Sequence, residues 1–163
     1  ASGLRLRGTL RDGLLYLALF LVFAPVVYLA SKRPDFAWTY PFYPRGAGQV
    51  GLDWVAFEAI YCLQFLAVEY FFRGFMVLGL KPVLGRAAIL VMLAPYCMIH
   101  YHKPGLEALG AVGAGLVLGT LSYRTGTVVW GWLLHFAVAL SMDLLSLAQA
   151  GRQIGRASCR ERV

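Results

Sequence analysis

The sequence is poor in charged residues and contains few cysteines. Charged residues make up 14% of the chain and hydrophobic residues 60%, whereas a soluble domain has about 25% charged and about 45–50% apolar residues. Cys62 and Cys97 lie in apolar runs, and the cysteine spacing is not that of a disulfide framework or a zinc finger. The composition excludes an ordinary soluble domain and favours a membrane protein. Its first partner is then the lipid bilayer, and we expect no nucleic acid.

An initiator methionine and a cleavable signal peptide are also missing from the sequence. Residues 1–12 form a basic juxtamembrane segment with Arg5, Arg7 and Arg11. The apolar run that follows is too long for a signal peptide and lacks a cleavage site. We therefore interpret the chain as an internal fragment of a longer membrane protein.

The last ten residues differ in character from everything before them. They read IGRASCRERV, are polar and basic, and resemble the translation of a common sequencing adapter. We interpret residues 154–163 as a non-native tail and exclude them from reasoning about the fold. Without the three arginines and one glutamate of this tail, the net charge of +7 falls to +5.

Long apolar runs predict an all-α, polytopic transmembrane helical bundle with about five spans. A helix needs about 20 apolar residues to cross about 30 Å of hydrocarbon. Residues 13–31 form the first predicted transmembrane helix, and residues 51–150 form a core of four more. The four runs of the core cover about residues 53–80, 86–99, 106–123 and 127–148. The run at 86–99 is short and contains Pro95, so a buried or re-entrant helix fits it as well.

Helix-boundary signals and aromatic residues flank the second span. Asp53 is a candidate N-cap, and Lys81 followed by Pro82 is expected to end the helix. The loop before it, residues 32–50, is rich in aromatic residues, which are typical of the lipid–water boundary. The alternative for this loop is contact with a substrate.

Small residues recur every four positions in the fourth span, at Ala111, Gly115 and Gly119. In lipid, small residues at this spacing let two helix backbones approach closely. We therefore predict that this helix packs tightly against a neighbour.

Four polar residues stand out because they interrupt or end apolar spans. Glu69 and Arg73 are four residues apart, so on a helix they share one face and can form an ion pair. His100 ends the third span and His135 lies within the fifth. A charged side chain near the bilayer centre costs about 2.5–3.5 kcal/mol on insertion scales, so ionisable residues there are candidates for a functional site. The alternative is an ion pair that only orients its helix.

The expected depths of these residues in the membrane are compatible with one site. At about 1.5 Å per residue, Glu69, His135 and His100 lie roughly 16, 13 and 21 Å from the same membrane face. These three side chains can therefore meet. Glu58 shares a helical face with Glu69 but lies about 16 Å away along the axis. We interpret Glu58 as an interfacial or cavity-lining residue.

These residues resemble the motifs of the CPBP intramembrane endopeptidases, also called Abi or CAAX-protease-like proteins. The family's first motif, two glutamates, three residues and Arg-Gly, reads VEYFFRG at 68–74. The second, an aromatic residue, three residues and a histidine, reads YCMIH at 96–100. The third, a histidine, three residues and an asparagine, reads HFAVA at 135–139. Two positions depart from the pattern, because the first glutamate is Val68 and the asparagine is Ala139.

The resemblance implies hydrolysis of a peptide or protein substrate by an activated water within the membrane. It makes Glu69 the general base, positioned by Arg73. It implies that His100 orients or deprotonates the water and that His135 donates to the developing oxyanion. Glu69, His100 and His135 are also a possible ligand set for a divalent metal such as zinc. The expected location is a cell membrane, taken as the bacterial cytoplasmic membrane.

The two departures keep other hypotheses open. With Val68 at the base position and Ala139 at the oxyanion position, the cavity could bind a peptide or lipidated ligand without cutting it, in an immunity or scaffold role. Asp143, about 6 Å beyond Ala139 along the helix, is a poor substitute for the asparagine. A haem site between His100 and His135 is a third hypothesis, which a visible absorption spectrum would test.

Overall fold

The computed structural model describes residues 3–4, 10–43 and 51–160, and this part of the chain contains helices and no strand. The helices are α1 (Leu10–Ala30), α2 (Pro34–Thr39), α3 (Leu52–Glu69), α4 (Leu80–Leu84), α5 (Ala87–Met98), α6 (Gly105–Thr125) and α7 (Val129–Arg160), with a π-helical segment (Tyr70–Gly79) between α3 and α4. The predicted all-α, polytopic bundle is confirmed. Most of the predicted basic segment 1–12, and the last three residues of the predicted tail 154–163, lie outside the described residues.

Four helices are long and apolar enough to cross a membrane. They are Arg11–Ala30, Leu52–Leu84, Gly105–Thr125 and Val129–Gln149. The third predicted span, α5, has only 12 residues and is about 18 Å long, which is short of the roughly 30 Å of a hydrocarbon core. The chain is therefore a multi-pass membrane protein with four long helices and one shorter apolar helix in its described part.

The second long helix differs from its predicted boundaries at both ends. It begins after Gly51, so Asp53 lies in the first turn instead of at the N-cap. It continues through Pro82 and ends at Gly85, whose φ of 53° favours glycine. The prediction that Lys81 and Pro82 end the helix is wrong. The change from π to α geometry falls just before Pro82, between Gly79 and Leu80.

The π-helical segment follows directly after Glu69 and is ten residues long. Its hydrogen bonds run from residue i to i+5, a pattern that is rare and is found frequently at functional sites. Phe72, Arg73 and Val77 of this segment are buried. The regular α-helix assumed for this stretch is therefore wrong, and the Glu69–Arg73 pair lies where α and π geometry meet.

Helices α5 and α6 pack closely at two glycines. A Cβ atom on Gly115 would lie 2.6 Å from Leu93 Cδ1 and 3.0 Å from Tyr96 Cδ1. A Cβ atom on Gly119 would lie 2.9 Å from Met92 Cε. The predicted close packing of the small-residue stripe is confirmed, and it presses α6 against the turn of α5 that carries Tyr96.

The aromatic residues after α1 divide into buried and exposed members. Phe36 and Tyr40 are buried and pack with Val27 of α1 and Met142 of α7, while Trp38 is 90% exposed. The prediction of a lipid–water belt is therefore wrong for Phe36 and Tyr40. These contacts hold α2 against α1 and α7, at the end of the bundle where α1 ends.

Candidate active site

The first element of the site is a fully buried ion pair between Glu69 and Arg73. Arg73 Nη1 donates to Glu69 Oε1 over 2.8 Å, and neither side chain is exposed. The guanidinium carbon of Arg73 lies 4.0 Å from the centre of the Tyr96 ring. The predicted pairing of the two residues is confirmed. Removing either partner would leave an uncompensated buried charge, which is strongly destabilising.

His135 of α7 contacts the same carboxylate oxygen. Its Nδ1 lies 2.8 Å from Glu69 Oε1. A carboxylate can only accept a hydrogen bond, so Nδ1 carries a proton, and in the neutral form of the ring the lone pair is on Nε2. The Phe65 ring packs beside the imidazole with its centre 4.5 Å away. Trp132, one turn earlier, donates to the Cys62 carbonyl over 2.8 Å and ties α7 to α3.

His100 follows α5 and is oriented by a backbone carbonyl. Its Nδ1 lies 2.8 Å from the Tyr96 oxygen, so by the same reasoning Nδ1 donates and Nε2 is free to accept. The Tyr96 ring centre lies 4.7 Å from the His100 ring and 6.4 Å from the His135 ring. Burial lowers the pKa of His100 and favours the neutral ring. Both imidazoles therefore border the same tyrosine, each with its Nε2 atom unpaired among the described residues.

A large, mostly apolar cavity of about 870 Å³ runs between α1, α3, α6 and α7. His100, His135 and Tyr96 line it together with apolar side chains. The structure thus brings both predicted histidines to one cavity. A cavity of this size and character is typical of a ligand or substrate site.

Val68 and Glu69 are neighbours in sequence but face different sides of the helix. Val68 lines the cavity, whereas Glu69 is fully buried and is not among its lining residues. A Cβ atom on Gly131 of α7 would lie 3.1 Å from Glu69 Oε2, so the carboxylate is pressed against the α7 backbone. The position that carries the family's first glutamate is therefore the one that faces the cavity.

A polar cluster that the sequence analysis missed lines the part of the cavity near α2. The Tyr40 hydroxyl donates to Glu107 Oε2 over 2.6 Å, and Lys103 Nζ lies 3.6 Å from Glu107 Oε1. Burial raises the pKa of Tyr40, with the Glu107 charge acting in the same direction, and burial lowers the pKa of Lys103. The four-residue spacing of Lys103 and Glu107 could have predicted their ion pair from the sequence. The contact with Tyr40 could not be predicted in this way, because Tyr40 is far from both residues in the sequence.

The remaining polar residues of the spans do not join the two histidines. Asp143 is fully buried and accepts a hydrogen bond from the Phe42 N–H over 3.2 Å, and it does not line the cavity. Glu58 is buried beside Asp143 and is not among the cavity-lining residues, so its interpretation as a cavity-lining residue is wrong, while its interfacial position stays a prediction. Ala139 lines the cavity and offers no side-chain donor.

The side chains do not form a prepared metal site as they stand. In the described ranges, no group of three or more His, Cys, Asp or Glu residues is placed to hold a metal ion. Glu69 Oε1 already accepts hydrogen bonds from Arg73 and His135. The zinc hypothesis for Glu69, His100 and His135 therefore lacks a converging ligand set among the described residues.

Comparison with known proteins supplies the family. The sequence model described as "Type II CAAX prenyl endopeptidase Rce1-like" matches residues 50–141, which is more than half of the 163 residues. No curated protein and no solved structure matches the chain. The matched range contains Glu69, Arg73, His100 and His135, and it agrees with the resemblance to the CPBP endopeptidases. The chain belongs to the Rce1-like family of CAAX-type intramembrane proteases.

Proposed function

We propose that this protein is an intramembrane endopeptidase that cuts a membrane-bound peptide or protein substrate. The observation that carries the proposal is a chain of contacts that leads to the cavity. Arg73 holds Glu69, and Glu69 holds the cavity-lining His135, each over 2.8 Å. An ion pair that only oriented a helix would not need to accept a hydrogen bond from a histidine at a cavity wall.

In this proposal His135 is the general base and Glu69 acts through it. A carboxylate at Nδ1 fixes the tautomer and stabilises the imidazolium that forms when Nε2 takes a proton, as in a Ser-His-Asp triad. This differs from the sequence-based prediction, in which Glu69 itself takes the proton from water. The reason is that Glu69 is fully buried and does not line the cavity. Arg73 keeps the carboxylate ionised and oriented.

His100 is proposed to orient the attacking water. As a neutral ring with a free Nε2 it accepts one hydrogen of the water, while His135 accepts the other. The water oxygen bonds to the peptide carbon as its proton moves to His135. The imidazolium then gives that proton to the leaving nitrogen as the C–N bond breaks, while the second water hydrogen stays on the new hydroxyl group, which yields a carboxylic acid and an amine.

The residue at position 139 predicts a slow enzyme. In hydrolases, losing one donor to the oxyanion costs about 10²–10³ in kcat. Ala139 lines the cavity and has no side-chain hydrogen-bond donor. The proposed enzyme therefore lacks the hydrogen bond to the oxyanion that an asparagine at this position would donate. Its turnover is expected to fall below that of a relative with complete motifs.

The test compares two conservative substitutions on the same helix. Wild type, Glu69→Gln and Glu58→Gln are expressed in the bacterial cytoplasmic membrane, the location that we propose, and assayed with a quenched fluorescent peptide that carries a prenylated cysteine. Glu69→Gln should lower kcat/KM by about 10²–10⁴ because it removes the partner of the general base. Glu58→Gln should keep wild-type activity, since Glu58 does not line the cavity. Equal activity in all three proteins would refute the proposed mechanism.

A non-catalytic role is the second candidate, and one observation favours it. Both cavity-lining positions that depart from the family pattern, Val68 and Ala139, carry apolar side chains. Such a cavity could hold a peptide or lipidated ligand without cutting it, in an immunity or scaffold role. This candidate predicts that the prenylated peptide binds to wild type and is recovered uncut after long incubation.

A further inference from the structure

We propose that Tyr96 is a further catalytic residue, whose hydroxyl group donates a hydrogen bond to the oxyanion that forms during hydrolysis. The proposal rests on the proposed function above, in which His100 and His135 hold the attacking water. The motif that ends at His100 asks only for an aromatic residue at position 96. It therefore assigns no role to the hydroxyl group that a tyrosine brings there.

The Tyr96 ring lies beside both of the proposed catalytic histidines. Its centre is 4.7 Å from the centre of the His100 ring and 6.4 Å from the centre of the His135 ring. Among the aromatic residues of the described ranges, Tyr96 is the one that neighbours both imidazoles. A water held between the two histidines would lie next to this ring, and so would the carbonyl group that the water attacks.

Contacts from the π-helical segment and from α6 hold the Tyr96 ring in place. The guanidinium carbon of Arg73 lies 4.0 Å from the ring centre, and the Phe72 ring packs edge-on with its centre 5.3 Å away. A Cβ atom on Gly115 of α6 would lie 3.0 Å from Tyr96 Cδ1. A donor that is fixed before the reaction needs no reorganisation when negative charge develops, which is the condition for strong stabilisation of an oxyanion.

The hydroxyl proton of Tyr96 is available to a ligand in the cavity. The hydrogen bond between Tyr96 and His100 uses the main-chain oxygen of Tyr96, and the guanidinium of Arg73 can donate but not accept. Tyr96 is only 1% exposed, and the open space that it borders is the cavity. Its hydroxyl oxygen, unlike that of Tyr16, is not sealed inside the protein without a partner. The hydroxyl end of the ring is therefore the part that we assign to the cavity.

This hydrogen bond supplies a donor that the proposed mechanism otherwise lacks. When the water oxygen bonds to the peptide carbon, the π electrons of the C=O bond move onto the carbonyl oxygen. His135 is then occupied as the general base, and Ala139 lines the cavity without a side-chain donor. Tyr96 donates to the negative oxygen and keeps its own proton. The electrons return to form the C=O bond again when the C–N bond breaks.

The test removes the hydroxyl group and leaves the rest of the side chain. Tyr96→Phe keeps the ring beside Arg73 and the main-chain oxygen that orients His100. The control is Tyr101→Phe, which removes the hydroxyl of a residue that is 81% exposed. With the prenylated peptide, Tyr96→Phe should lower kcat about 10²–10³-fold with little change in KM, because the hydrogen bond forms only in the transition state. Tyr101→Phe should keep the wild-type kcat, and a thermal melt shows that both variants are folded.

A second measurement does not depend on cleavage. A prenylated peptide phosphinate, whose tetrahedral anionic group imitates the oxyanion, should bind Tyr96→Phe about 10–100-fold more weakly than wild type. Equal kcat in wild type and folded Tyr96→Phe, or equal affinity for the phosphinate, would overturn the role of Tyr96 and leave the proposed function standing. If wild type cuts no peptide, the proposed function fails, and the phosphinate affinities alone decide whether the hydroxyl donates into the cavity.

Discussion

At the scale of single residues, Glu69 is stabilised by the same contacts through which we propose that it acts. Its burial in the membrane interior is offset by Arg73, and its second contact orients His135. The neighbouring Val68 faces the cavity instead. The sequence predicts Glu69, Arg73 and His135 as candidates for one site because polar residues in apolar spans are costly. It could not show which of the two adjacent residues faces the cavity, since that depends on how α3 packs against α7 in the folded chain.

Restoring a carboxylate at the cavity wall should raise activity. Val68→Glu would place an ionisable group on the wall that already carries both histidines, where it can act as a second general base. General-base catalysis contributes about 10²–10⁴ in rate, so we expect a gain of at least tenfold in kcat. Val68→Gln is the matched control, because it has the same size and hydrogen-bonding reach without a base. Equal gains in the two variants would contradict this role for position 68.

At the scale of helices, close packing between α5 and α6 positions Tyr96, and Tyr96 positions His100. The stripe of small residues in the fourth span predicted this packing correctly, because glycine spacing is a direct signal of close approach. The π segment was not predicted. The hydrogen bond between Tyr40 and Glu107 joins residues 67 positions apart, so the local sequence around either residue does not predict it.

Substituting a packed glycine should separate α5 from α6. Gly115→Ala would place a methyl group 2.6 Å from Leu93 Cδ1 and 3.0 Å from Tyr96 Cδ1. We expect a loss of about 1–3 kcal/mol in stability, the usual cost of overpacking, and lower activity through displacement of Tyr96. Gly113→Ala, where nothing lies within 4 Å of the added atom, should keep or raise the Tm. A thermal melt of both variants measures the difference, and equal melts would refute the packing argument.

At the scale of the whole molecule, two groups of polar contacts connect helices at opposite ends of the bundle. One end joins Tyr40, Lys103 and Glu107. The other joins Lys81 to the Tyr123 carbonyl over 2.7 Å. The sequence analysis assumed that successive apolar runs cross the membrane in alternating directions, which predicts that these two groups of contacts lie at opposite ends. The prediction holds even though α5 is too short to be a full span. The short helix and the turn after it, residues 99–104, together return the chain to the end that carries α2.

Cysteine labelling should show these two ends on opposite sides of the membrane. In a background without the native cysteines, we expect Trp38→Cys and Tyr101→Cys to react with an impermeant maleimide from the same side. Val83→Cys should react from the other side. All three native residues are more than 80% exposed, so the protein itself shields none of these positions. Labelling of positions 38 and 101 from opposite sides would contradict the arrangement of α1, α2 and α5.

The most direct test of the central claim is a double-mutant cycle between Glu69 and His135, measured as kcat/KM per mole of folded protein in proteoliposomes, because Glu69→Gln leaves the Arg73 charge uncompensated. If Glu69 acts through His135, the double variant Glu69→Gln/His135→Gln should be no slower than His135→Gln alone, because residues that act as a unit are strongly non-additive. If the two losses instead multiply, each residue acts on its own, and the account of a carboxylate working through an oriented imidazole is wrong.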